Sequence, residues 1–313
     1  MRLLDLLSFP DWREAKTPRG DRTVLALGGG GARGLAHLGV IEAISRSPLE
    51  LRRIVGVSMG ALAGGLCAVD GNPQEAQSRA IDYLRSPDFL EQQHELLGTR
   101  PPSASESAGG LFSWYGRLRD FVQAHRRLGR AVSGPSLLGD YLLRDAVDTL
   151  LPDIDIAETA IPLSIVAADL LSGHRVVLES GPLRVAVRAS MAIPGIFPPV
   201  ALDKMLLCDV GVVDSIPVDV ARSYPHDLAI AVDVGQGHAR IQSCATAIDA
   251  MMRIDEIGER VLRRRVLDEA DWVIRPELDG VAWFDFGRPE QLVRKGYLAG
   301  HEQLAKHHLA DAA

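Results

Sequence analysis

Cysteine is nearly missing from this 313-residue chain, which has Cys67, Cys208 and Cys244 and no others. Their wide separation gives neither a disulfide framework nor a metal-ligand spacing. The reading is of buried free thiols in a reducing compartment. A basic excess is also missing. The formal net charge is −7 and no Lys/Arg stripe dominates, which argues against nucleic acid as a partner. No apolar run reaches the roughly 18 residues a membrane span needs. The opening MRLLDLLSFPDWREAK is interrupted by Asp5 and has no cleavage site of small residues, so it does not read as a signal peptide. The expected location is the cytoplasm. Leu3, Leu4, Leu6, Leu7 and Phe9 offer either a short interfacial anchor at the inner membrane face or a segment packed on the domain. Internal repeats are absent from the sequence.

What is present is a chain 47% hydrophobic and 24% charged, enough for one large domain or two small ones. Seven short apolar runs read as strands: 24–27, 54–57, 162–168, 175–178, 205–208, 228–234 and 272–274. They are continuous rather than alternating, as strands buried on both faces should be. Helical patterns fall between them at 35–45, 61–69, 73–84, 114–127, 137–150, 185–191, 245–268 and 290–307. Strands alternating with helices predict an α/β layered, mostly parallel sheet.

One stretch breaks this rhythm. Residues 86–139 contain the Pro/Ser/Gly-rich Arg100–Gly110 and then LFSWYGRLRDFVQAHRRLG, where Leu111, Phe112, Trp114 and Tyr115 bunch in a chain only 5% aromatic. Either this helix packs a Leu118, Phe121 and Val122 stripe on the core, or its aromatic end roofs an apolar cleft.

The residues that carry chemistry lie in TVLALGGGGARGLAHLGVIEAI, from Thr23 to Ile44, and in the following IVGVSMGALAGGL. Each reads as strand, glycine turn and helix. The second holds the G-x-S-x-G turn Gly56-Val57-Ser58-Met59-Gly60. Such a turn presents a serine Oγ at a sharp strand-to-helix corner, where the flanking glycines leave room and the helix N-terminus favours developing negative charge. The bland alternative is a serine N-cap. The glycines of Gly28–Gly31 can serve as an oxyanion hole, with Gly29, Gly30 and Gly31 offering N–H groups toward Ser58 and Arg33 holding the loop or meeting a head group. The spacing Gly29-x-Gly31-x-x-Gly34 also fits a dinucleotide fingerprint. That reading lacks its acidic residue, because the second strand ends in Gly56-Val57-Ser58. For a base, KMLLC runs into Asp209-Val210-Gly211 at the C-terminal edge of a strand expected to be central. In a parallel sheet that position shares an edge with the other strand-end turns. His238 is the candidate third member of a triad, His37 is read as structural, and Asp214 is a second-choice base.

In that order, GGGGARGLAHLGVIEAI, GVSMGAL, RASMAIPGIFPPV and DVGVVDSIPV resemble the bacterial patatin-like phospholipases, the group related to neuropathy target esterase. The resemblance extends from about Thr23 to Gly300 and takes in DGVAWFDFGRPEQLVRKGYLAG. It implies a three-layer α/β fold, with a mostly parallel central sheet and helices on both faces. The domain would cover 23–313 after a lead-in segment at 1–22, with a lid-like insertion at about 86–139. It further implies a lipid acyl hydrolase without metal or cofactor, acting on lipid or fatty-acyl esters through a Ser–Asp dyad. Ser58 would be the nucleophile, Asp209 the base and the glycine loop the oxyanion hole, with Arg33, Gly34, Gly56, Gly60 and Gly211 as motif residues. One departure stands out: the family pattern D-G-G or D-G-A is here Asp209-Val210-Gly211. With a β-branched residue at that place, either the local turn is altered or the family's glycine is not conformationally required, and the departure leaves as an alternative a weakly active or inactive relative that binds lipid or a protein partner. The loop Met191–Pro199 would line an acyl pocket or pack beneath it, and Arg263-Arg264-Arg265 is a solvated face or a contact for anionic lipid.

Overall fold

Period-two burial organises the sheet. Along β1 (Arg22–Leu27), Leu25 and Leu27 join one apolar cluster while Val24 and Ala26 join another. The same division holds in β2 (Glu50–Val57), β3 (Leu163–Asp169) and β7 (Leu228–Val232), where alternate residues serve opposite clusters. Strands apolar on both faces need cover on both, and the cover here is uneven. The computed structural model describes residues 20–97, 136, 138–211, 213–235, 244–245 and 247–307. On the thick side lie α1 (Ala36–Ser45), α2 (Met59–Ala68), α3 (Pro73–Leu84), α5 (Tyr141–Leu150), α6 (Leu183–Met191) and α9 (Pro289–Lys306). On the thin side, the five-residue α7 (Val218–Arg222) and the end of α8 (Ala247–Leu267) close the smaller cluster. A further helix, α4 (Pro87–Leu97), follows α3.

The sheet runs β5–β6–β3–β2–β1–β7–β8, with β4 (His174–Leu178) also paired to β3. Pairings among β1, β2, β3, β7 and β8 (Trp272–Ile274) are parallel. The remaining strands, β4, β5 (Val200–Leu202) and β6 (Met205–Cys208), pair antiparallel. The mostly parallel three-layer expectation therefore matches the fold. β6 itself corrects one expectation: it neither runs parallel to its neighbour nor sits in the sheet centre. It meets β3 through two pairs, Ala168 with Cys208 and Asp169 with Leu207, and enters from the opposite direction. The Asp169 carboxylate fixes that meeting by accepting the N–H of Leu206 at 2.9 Å and of Leu171 at 3.2 Å.

Two further expectations change. The runs at 200–202, 87–97 and 218–222 form elements that the apolar pattern did not mark. Cys67 and Cys208 are buried, with thiol pKa values pushed up by desolvation, but Cys244 is exposed. The lead-in up to residue 19, the Arg100–Gly110 patch, the aromatic segment 111–115, the predicted helix 114–127 and His238 lie outside the described residues. Among the described residues, no helix is long and apolar enough to cross a membrane.

The crossing of α1 and α9 depends on missing side chains. A Cβ at Gly296 would overlap the Ala36 carbonyl, one at Gly39 the Val293 carbonyl, and one at Gly300 the Ala43 Cβ. Gly258, inside α8, has nothing within 4 Å of its virtual Cβ. Overpacking is destabilising, whereas an open helical glycine wastes chain entropy. Gly296→Ala is therefore expected to lower unfolding free energy by about 2 kcal/mol or more, and Gly258→Ala to raise it by about 0.5–1 kcal/mol. Urea midpoints moving in opposite directions would bear this out, and shifts of the same sign would refute it.

Candidate active site

Ser58 directly follows β2 and precedes α2, at the corner foreseen from the motif. Its backbone sits at φ +55°, ψ −123°, a region that residues with a Cβ rarely adopt. Such a conformation costs on the order of 1–3 kcal/mol and survives only where the surroundings enforce it. They do so here by close backbone contact. A Cβ at Gly56 would strike the Gly60 carbonyl, and one at Gly60 would strike the Leu27 carbonyl at the end of β1. The N-cap reading fails on geometry, because the Ser58 hydroxyl makes no capping hydrogen bond. Its N–H donates instead to Ser190 Oγ at 2.9 Å, and that hydroxyl donates to the Val166 carbonyl at 2.7 Å. Ser190, fully buried in the last turn of α6, thus ties the corner to β3. Sequence reasoning missed it. The one signal was a lone hydroxyl in the apolar stretch RVAVRASMAI.

Asp209 reaches the same place from β6. The sheet alternation puts Leu207 in the thick-side cluster and Val210 in the thin-side one, so Asp209 turns to the thick side with Ser58. Its N–H donates to the Ala192 carbonyl at 2.9 Å, just past the end of α6. The end of α6 therefore holds the backbone of both residues. Ser58 is 7% exposed and Asp209 8%. Burial raises the Asp209 pKa to about 6, against the opposing pull of the neighbouring Ser58 hydroxyl and of the Gly211 N–H, which donates to Asp209 Oδ1 at 2.7 Å. The φ of Val210 lies outside the left-handed region, and its side chain packs in the thin-side core with Val57 and Val166. Asp214 is bound to Arg175 Nη1 at 2.6 Å and so is already engaged as an ion-pair partner.

The glycine loop after β1 lies directly against this corner: a Cβ on Gly29 would come within 3.3 Å of Ser58 Cβ, and one on Gly34 would overlap Met59 Cβ. The loop is pinned peptide by peptide. The Gly28 carbonyl accepts His37 Nε2 at 2.7 Å, and the N–H of the same peptide, on Gly29, donates to the Ser215 carbonyl at 3.0 Å. Burial lowers the His37 pKa to about 4, so the ring is neutral and its Nε2 carries the proton given to Gly28. Arg33 Nε donates to the Gly30 carbonyl at 3.3 Å, and Ala32 N–H donates to the Trp283 carbonyl at 2.7 Å. Because C=O and N–H point opposite ways across a trans peptide, holding the Gly30 oxygen from one side turns the Gly31 N–H to the other. Among the described residues no carbonyl takes the N–H of Gly30 or Gly31, whereas that of Gly29 is committed. Arg33 is 5% exposed and acts here as a holder of the loop.

Ser58 also borders a cavity of about 200 Å³. Its walls are apolar side chains of α2, α3, α4 and α5, and they include Met191, Ile193 and Phe197, so the Met191–Pro199 loop lines the pocket. Gly31 and Trp283 close the same end as Ser58.

The family model for patatin-like phospholipases matches residues 25–222. The chain is 33% identical over 218 residues to an NTE family protein of Mycobacterium tuberculosis, covering 70% of this chain and 50% of that one. It is 26% identical over 316 residues to patatin-like phospholipase domain-containing protein 7 of Rattus norvegicus, covering 92% of this chain and 21% of the other. It thus spans about half the length, or less, of these curated relatives. Among solved structures it is similar to VipD from Legionella pneumophila, with a TM-score of 0.43 and 14% identity over 95% of this chain and 70% of the other.

The state of Asp209 sets a stability signature. Its folded pKa of about 6 lies above the ordinary 3.8, so the folded protein holds this proton more tightly than the unfolded chain does. The group therefore withdraws stability as pH rises from about 4 to about 6, and the full penalty is present above that. Asp209→Asn keeps an acceptor for Gly211 and removes the charge. It is expected to raise unfolding free energy by about 1–3 kcal/mol at pH 7.5 and by little at pH 4. Denaturant titrations at the two pH values measure this, and an equal effect at both would contradict the assigned environment of Asp209.

Proposed function

The chain belongs to the patatin-like phospholipase family, and we propose that it is a serine hydrolase of fatty-acyl esters that works through Ser58 and Asp209. The observation that carries this reading is the Ser58 hydroxyl facing a buried carboxylate of raised basicity, at the end of an apolar cavity. A solvated carboxylate is a weak base toward a serine hydroxyl; one moved to a pKa of about 6 is better matched to neutral pH while still ionised there.

The steps follow from the geometry. Ser58 Oγ attacks the ester carbonyl carbon as its proton passes to Asp209. Negative charge gathers on the former carbonyl oxygen, where the N–H groups of Gly30 and Gly31 receive it. Removing one such donor from an oxyanion hole typically costs about 10²–10³ in rate. Gly29 adds shape rather than a hydrogen bond, since its N–H serves Ser215. Collapse of the tetrahedral species breaks the bond to the alcohol, which takes the proton from Asp209 and leaves an acyl-Ser58 ester. Water then attacks that ester, giving its proton to Asp209, and the second collapse returns the proton to Ser58 and frees the carboxylic acid. No histidine is required, and His37 is spent on the Gly28 carbonyl. The apolar cavity favours an ester with a hydrocarbon acyl chain, such as a phospholipid, a lysophospholipid or a simple fatty ester.

With p-nitrophenyl butyrate, Ser58→Ala and Asp209→Asn should each lower kcat/KM by about 10³-fold or more. Fluorophosphonate should label the wild type and leave Ser58→Ala unlabelled. Because the base must be ionised, wild-type kcat/KM should fall tenfold per pH unit below about pH 6. Wild-type rates in Asp209→Asn, or labelling that survives in Ser58→Ala, would remove the assignment.

A further inference from the structure

The cavity follows one face of one helix. Met59, Leu62, Ala63 and Leu66 supply its α2 wall, at the 3–1–3 spacing of residues that share a helical face. Ser58 stands at the start of that helix, and Leu66 is the last α2 residue to line the space. Eight residues at 1.5 Å each put Leu66 about 12 Å from Ser58 along the axis, a reach of about ten carbons for an extended alkyl chain. The facing wall on α3 is Ala80, Tyr83 and Leu84, again on one face. The carboxamides on the lining are Gln92 and Gln93, where Gln92 donates to Asp145 at 3.3 Å and Gln93 to the Phe284 carbonyl at 3.5 Å.

We infer that the acyl chain of the substrate lies along α2 from Ser58 toward Leu66, and that Ala63 sets how long a chain this protein accepts. The inference rests on the hydrolase reading for its chemistry. An acyl carbon bonded to Ser58 starts at the helix N-terminus, and the room beside it continues down the helix. Ala63 is five residues along, about 7.5 Å from Ser58, level with about the sixth carbon of the chain. It is a buried alanine on that face, between Leu62 and Leu66. A larger side chain here takes the space that carbons beyond the sixth would occupy and leaves the space next to Ser58. Each methylene shut out forfeits about 0.8 kcal/mol of burial, close to fourfold in kcat/KM, so a block over several carbons is easily read.

The test holds the leaving group constant and varies the acyl chain. Wild-type kcat/KM on p-nitrophenyl esters should climb from acetate to about decanoate and stop climbing beyond. In Ala63→Phe the ratio of kcat/KM for decanoate to that for butyrate should fall at least tenfold. Ala63→Leu, a milder block that keeps the helix apolar, should lower the same ratio by a smaller factor. Ratios unchanged in both variants, with circular dichroism unchanged, would overturn the assignment of Ala63. A second readout separates this inference from the hydrolase reading. Sodium decanoate should raise the melting temperature of wild type and of Ser58→Ala, and should fail to do so for Ala63→Phe. Wild type that binds decanoate yet turns over no ester would sink the hydrolase and keep the pocket. Wild type that hydrolyses all chain lengths alike, with no thermal shift from decanoate, would sink the pocket and keep the hydrolase.

Discussion

The site depends on backbone meeting backbone where β1 and β2 end. These strands are parallel neighbours in register, Leu27 opposite Gly56, so the glycine loop and the serine corner emerge side by side at one level. The corner can close only because Gly60 lies against the Leu27 carbonyl and Gly56 against the Gly60 carbonyl, with Gly29 packed on Ser58. At such range there is no side chain to yield, and the relation between hydroxyl and loop amides is as rigid as the sheet. Preorganised donors are effective because they need not reorient as charge develops.

That rigidity is maintained against local unfavourable terms. Ser58 occupies a left-handed conformation, Asp209 is an ionised carboxyl out of water, and Arg33 is buried, with no partner for Nη1 among the described residues and its pKa lowered to about 10 by desolvation. What opposes them is the thick-side core, where α1 and α2 cover the sheet and α9 packs on α1, with most apolar side chains fully enclosed. Local strain at a functional residue persists only inside such an over-determined frame. His37 gives that frame a clamp without a formal charge: kept neutral by burial, it fixes the loop and adds no field at the carboxylate.

How much of this could be read from the chain depended on where the signal is carried. β1, β2 and β7 are continuous apolar runs, and such runs announce strands covered on both sides. β5 has three residues and pairs with β6 alone, while α7 is a single short turn of helix, so neither builds a period long enough to see. The antiparallel entry of β6 was equally hidden, because strand direction is a property of the connections. Ser58 and Asp209 were visible because their neighbours form motifs. Ser190, Ser215 and Trp283 were not. The first acts through one hydroxyl across 132 residues, and the other two lend only their carbonyl oxygens, which every residue possesses. The place of Val210 was hidden for a like reason, since it depends on the thin-side core that receives the side chain.

The match to the family model stops at residue 222, but the folded body does not. β7 lies between β1 and β8, the Trp283 carbonyl holds the glycine loop, and α9 nests on α1 through paired glycines. A recombinant fragment cut at the similarity boundary would strip a neighbour from the strand that launches the loop and bare one flank of its first helix. For expression and truncation work, the segment that the family model recognises is therefore shorter than the unit that folds.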